Sequence, residues 1–138
     1  ADRLGGCPLA FIHKTRDPMH PNEVVANRVV GDAEGRVCLV VDDMIDTGGT
    51  ICRAAEILYQ SGAADVVVAA THAILSDPAT ERLKNSQISE VVVTNTLPLP
   101  PEKRFDKITQ LSIAPLLARA IREVFDDGSV TTLFGGLS

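Results

Sequence analysis

Apolar positions along the chain fall into two kinds of pattern. Short runs rich in Val and Ile occupy residues 9–12, 37–41, 66–70 and 91–93, each too short for a helix and several bounded by turn residues. They predict buried strands. Between them the period lengthens: Ile51, Ala54, Ala55 and Leu58 fall at i, i+3, i+4 and i+7 ahead of a Ser61-Gly62 stop, which predicts a helix. Residues 78–84 predict a shorter helix, capped by Ser76 or Asp77. The longest stripe is Ile113, Leu116, Leu117, Ala120, Ile121, Val124 and Phe125, with Ser112 at the N-cap and Gly128 past the end. That stripe is expected to be core. Buried strands alternating with helices predict an α/β fold: a parallel-sheet, Rossmann-like domain with helices on both faces, which binds ligands at the carboxyl ends of its strands.

Two segments fall outside the alternation. "HKTRDPMHP", residues 13–21, holds two prolines and several charges after a strand, and predicts an exposed loop, with residues 24–30 as a β excursion. "LPLPPEKRFDK", residues 97–107, predicts a second Pro-rich connection. The opening residues 1–6 read as the last turn of a helix running into a Gly stop, without an initiator Met. The expectation is a piece of a longer chain.

Length and charge narrow the chemistry. A chain of 138 residues that is 45% hydrophobic predicts one domain with a real core. A formal net charge of -5 gives no general attraction to nucleic acid or an anionic membrane, so any phosphate must be held locally. No stretch approaches the roughly 20 apolar residues of a membrane span, and the first residues lack the basic-then-apolar layout of a signal peptide. A cytoplasmic protein is expected. The three cysteines, Cys7, Cys38 and Cys52, show no CxxC spacing and read as inert, reduced thiols. His13, His20 and His72 receive no catalytic or metal-binding role, His72 reading as a packed or hydrogen-bonded residue after a strand.

The candidate chemistry lies in "VVDDMIDTGGT", residues 40–50. If residues 37–41 form a central strand and a helix starts near Thr50, then Asp46, Thr47, Gly48, Gly49 and Thr50 form the loop between them. Its backbone N–H groups and the positive end of the helix dipole can hold a phosphate without Lys or Arg. Gly48 and Gly49 permit close approach, and the Thr47 and Thr50 hydroxyls can donate. This is not a Walker loop, since no GK[ST] is present. Asp42 and Asp43 would repel a bare phosphate, but ionised carboxylates accept from hydroxyls or bind cations. A pentose phosphate satisfies both halves. The plainer alternative makes Asp42 and Asp43 turn formers and Asp46 a helix cap.

This stretch resembles the ribose-phosphate signature of the type I phosphoribosyltransferase fold. Together with "HKTRDP", "ATHAILSDPATERL", "VVVTNTLP", "LSIAPLLARAI" and "SVTTLF", it is similar to the carboxyl-terminal half of the ribose-phosphate diphosphokinase family over essentially the whole chain. The resemblance implies a phosphoribosyltransferase-like domain, the carboxyl-terminal one of a two-domain enzyme, with the amino-terminal domain lying outside this sequence. It implies transfer of the diphosphoryl group of ATP to the C1 hydroxyl of ribose 5-phosphate, with Mg²⁺ held mainly by the other half. Asp46, Thr47, Gly48, Gly49 and Thr50 match the loop for the 5-phosphate, Asp42 the acid that meets the ribose, and Asp43 its neighbour. Lys14 and Arg16 match the basic pair of the catalytic loop, Arg16 also facing the sugar phosphate. Ser129, Val130, Thr131 and Phe134 match a tail near an allosteric site, with a packed terminal strand as the alternative. A hexameric assembly is implied, and little or no activity for this chain alone. The competing readings are a phosphoribosyltransferase, which would not need "HKTR", and a non-catalytic regulatory paralogue, which altered loop glycines or an altered Lys14 or Arg16 would have favoured.

Overall fold

The computed structural model describes residues 4–17 and 20–134, apart from the side chains of residues 13–28 and of Phe134. Of the expected helix end at residues 1–6, the first three residues lie outside the described ones. Four strands, β3 (Val37–Ile45), β4 (Asp65–Ala73), β5 (Glu90–Thr94) and β6 (Ile108–Leu111), form one parallel sheet in the order β3-β4-β5-β6. Helices α1 (Gly49–Gln60) and α2 (Ala79–Asn85) provide the crossovers. The expected parallel α/β class is therefore the one observed.

Why these residues make these elements follows from what they bury. Along β5 and over residues 65–70 of β4 every second side chain is inside, with Val66, Val68, Val91 and Val93 fully buried. They join Ile51, Ala55 and Leu58 of α1 and Ala79 and Leu83 of α2 in one core. Each such Val, Ile or Leu side chain is worth roughly 1.5–3 kcal/mol relative to exposure. The Ser61-Gly62 stop works as expected: Gly62 is left-handed (φ 86), its N–H reaches the Tyr59 carbonyl, and the Ala63 N–H reaches Leu58.

The remaining elements depart from the expectations. Of the loop expected over residues 13–21, residues 18–19 lie outside the described ones and the others are strand: β1 (Phe11–Asp17) and β2 (His20–Val30) pair antiparallel as a separate ribbon. The register jumps from Arg16↔Val24 to Asp17↔His20, so Pro21 falls in a bulge, where its missing N–H costs no ladder bond. Strand β3 is an edge of the described sheet, not a central strand, and runs four residues past Val41. β6 was missed because ITQL is short and half polar. Neither Ser76 nor Asp77 caps α2, whose N-cap is Pro78.

Helix α3 (Ala114–Phe125) also lacks a side-chain cap, although the Ile113 N–H donates to Asn95 Oδ1 at 2.9 Å. Its stripe is not core. Leu116, Leu117, Ile121, Val124 and Phe125 are all exposed, Phe125 at 87%. Helical periodicity reports that an element has an apolar face without saying what covers it, and among the described residues this one stays largely exposed. Val37, Leu39 and Val41, on the face of β3 turned away from the core, are exposed as well.

Candidate functional site

Because β3 continues through Asp42 and Asp43 to Ile45, the acid pair sits inside a strand and is not a turn. The chain then passes through Asp46 and Thr47 to Gly48, the N-cap of α1, at φ 73 and ψ -4. That left-handed conformation favours glycine, since a Cβ there meets the following carbonyl. No side chain caps α1, so Asp46 does not act as its cap. The first helical bond runs from the Cys52 N–H to the Gly48 carbonyl at 3.0 Å.

Residues 42–51 line a single cavity of about 300 Å³. Seven of the eight expected residues of the sugar-phosphate site, Asp42, Asp43, Asp46, Thr47, Gly48, Gly49 and Thr50, border it, and the side chain of the eighth, Arg16, lies outside the described residues. Among the described residues, no acceptor takes a bond from the backbone N–H groups of Thr47, Gly48, Gly49 or Thr50. Unpaired donors at the positive end of a 12-residue helix are what an anion requires. Asp42 is half-buried and accepts from the Asp43 N–H at 2.9 Å, whereas Asp43 and Asp46 are exposed. None of the three forms an ion pair among the described residues. Their oxygens remain open to hydroxyls or a cation.

The back of the loop rests on α2. The Arg82 guanidinium donates from Nη1 to the Thr47 carbonyl at 3.1 Å. Sequence reasoning missed Arg82, since the two positions are 35 apart and no local pattern links them. Cys52, one turn into α1, is half-buried; burial pushes its thiol pKa up and Glu56 adds to the rise, against Arg82 and Ser86. An inert thiol is consistent with this. His72 is hydrogen-bonded as expected, Nδ1 to Thr96 Oγ1 at 2.9 Å, and pairs in register with Met44 beside the acids.

The other expected site residues stand apart. Lys14 and Arg16 are on β1, opposite Asn27 and Val24, but their side chains lie outside the described residues. Ser129 precedes, and Val130, Thr131 and Phe134 belong to, a 3-10 turn (Val130–Phe134) packed on α3, in place of the terminal strand considered as the alternative. The Phe134 side chain lies outside the described residues.

Residues 10–135 match the family described as phosphoribosyl synthetase-associated domain. The chain is 64% identical over 136 residues to the ribose-phosphate pyrophosphokinase of Mycobacterium tuberculosis, covering 99% of this chain and 42% of that protein. It is 63% identical over 133 residues to the enzyme of that name from Streptomyces coelicolor, covering 96% and 41%. The solved phosphoribosylpyrophosphate synthetase of Mycobacterium smegmatis superposes with a TM-score of 0.82 at 57% identity, over 92% of this chain and 40% of that one. The chain thus spans about two-fifths of the length of the curated relatives it matches.

Proposed function

The chain belongs to the phosphoribosyl synthetase-associated domain family, and from that premise we propose that it supplies the ribose 5-phosphate half-site of a ribose-phosphate diphosphokinase. One observation carries the reading: unpaired loop amides and open carboxylates border the same cavity. The 5-phosphate takes the amides of Thr47, Gly48, Gly49 and Thr50 and the hydroxyls of Thr47 and Thr50. The ribose hydroxyls donate to Asp42 and Asp43, while Asp46 closes the loop.

In the reaction, the C1 hydroxyl oxygen bonds to the β-phosphorus of ATP as the bridge to the α-phosphate breaks, releasing AMP and a proton. Phosphoryl transfer of this kind needs little covalent help but requires stabilisation of developing negative charge. Lys14 and Arg16 on the β1–β2 ribbon are assigned that role, Arg16 also meeting the sugar phosphate. Asp42 and Asp43 offer hard oxygen donors suited to Mg²⁺, although no group of three or more His, Cys, Asp or Glu among the described residues could hold a metal. Bound Mg²⁺ would offset the charge of the transferred diphosphoryl group, its remaining ligands coming from substrate, water and the rest of the enzyme.

On this reading the chain acts as the carboxyl-terminal of two domains, with ATP bound largely by the other, in a cytoplasmic homo-oligomer, by resemblance a hexamer. The exposed α3 stripe supports a contact of that sort. Among the described residues no helix is long and apolar enough to cross a membrane. Ser129, Val130, Thr131 and Phe134 are assigned to an effector site near a subunit contact.

Calorimetry with ribose 5-phosphate tests the site, and AMP release from ATP, Mg²⁺ and ribose 5-phosphate tests the division of labour. The expected outcome is binding without turnover for the 138-residue chain, and turnover for an intact synthase. No binding would refute the half-site; turnover by the chain at the rate of an intact synthase would refute the need for a second domain.

A further inference from the structure

The Thr47–Gly48 peptide is held from behind by a residue that the reaction does not call for. Arg82 donates to the Thr47 carbonyl and, among the described residues, forms no ion pair. A Cβ built on Gly49 would lie 3.3 Å from Arg82 Nη1, and one on Gly48 would lie 3.6 Å from the Ala79 Cα. The rear of the loop therefore sits directly against α2. The two sides of the loop differ. Gly49, Ala79's neighbour Pro78 and Arg82 line a groove between α1 and α2, whereas no α2 residue borders the cavity of residues 42–51.

Those facts fix a direction. In a planar trans peptide the C=O and the N–H point to opposite sides. With the Thr47 carbonyl drawn toward Arg82 on the α2 side, the Gly48 N–H is sent to the other side, that of the cavity. The guanidinium also polarises the peptide it binds, which makes that N–H a better donor to an anion.

We propose that Arg82 is a positioning residue for the phosphate grip, acting through the Thr47 carbonyl to keep the Gly48 amide turned toward the bound phosphoryl group. The inference rests on the function proposed above and adds to it a residue that touches no substrate. Arg82 is exposed, so its replacement leaves the core intact.

The test compares the chain with Arg82→Met and Arg82→Lys, using calorimetry with ribose 5-phosphate and with inorganic phosphate, and amide NMR without ligand. Losing a hydrogen bond from a charged donor should weaken both ligands by a similar factor, roughly tenfold in R82M. R82K should recover part, because an ammonium can still donate to a carbonyl but cannot match the planar fork. The Gly48 amide resonance should move in unliganded R82M. Unchanged affinity in R82M, with the wild type binding, would overturn the role alone. Weakened affinity with an unmoved Gly48 resonance would mean that Arg82 meets the phosphate directly, which also overturns it. A wild-type chain that binds neither ligand would overturn the functional reading together with this one.

Discussion

Gly48→Ala isolates the loop geometry from everything else in the molecule. At φ 73 the backbone lies in the left-handed region, where an L side chain costs about 1–2 kcal/mol. A clash adds little, because the new Cβ would meet Ala79 at 3.6–3.7 Å, an ordinary contact. The whole cost is thus conformational, and thermal unfolding should fall by roughly 3–8 °C for a domain of this size. The loop can relieve that strain by turning the Thr47–Gly48 peptide, which would withdraw an amide from the anion and weaken ribose 5-phosphate binding in calorimetry. Gly48→Asn discriminates between strain and crowding: asparagine is larger than alanine yet tolerates left-handed φ better, so it should be the more stable of the two. An Asn variant less stable than the Ala variant, or an Ala variant as stable and as tight-binding as the parent, would refute the argument.

Leu83→Ala should cost about 2–5 kcal/mol in urea unfolding because Leu83 is fully buried, whereas Leu117→Ser should stay within about 0.5 kcal/mol because its side chain is already half exposed. Hydrogen bonds from Ser89 and from the Val66 N–H, with Tyr59 assisting, hold the Asp65 carboxyl below its ordinary range. A depressed folded-state pKa stabilises the fold above the unfolded value, near 3.8, and that contribution is lost as pH falls below it. Asp65→Asn should therefore flatten part of the loss of urea midpoint between about pH 6 and pH 3; an identical profile would exclude Asp65 as a source. Removing the Tyr59 hydroxyl, whose one proton is shared between Asp65 Oδ1 and the Gln87 carbonyl, should cost about 1 kcal/mol in the same assay. Thiol titration at pH 8 should label exposed Cys7 well before Cys52, whose pKa burial raises; equal rates would contradict that burial.

Local pattern was enough wherever one element's own residues decide its state. The valine runs of β4 and β5, the i, i+3, i+4, i+7 spacing of α1 and the Ser61-Gly62 stop all set short-range geometry, and the structure agrees with them. The connection from β3 into α1 was legible for the same reason, since glycines and hydroxyls between a strand and a helix leave few backbone options, although the helix takes in Gly49 and Thr50 and leaves Asp46 to Gly48 as the loop. What the sequence could not determine by itself was which surfaces meet. An apolar stripe on α3 states that something should cover it without saying what, and here it stands exposed. Residues 13–21 looked like a loop because their prolines and charges are counted locally, whereas the pairing that places residues 13–17 in a ribbon comes from residues up to 15 positions away, His13 with Arg28. Arg82 reaches Thr47 only because parallel crossovers bring α2 behind the end of β3. Local sterics act within a few residues and can be read in order; contacts between elements depend on how the sheet is assembled, and only the folded chain decides them.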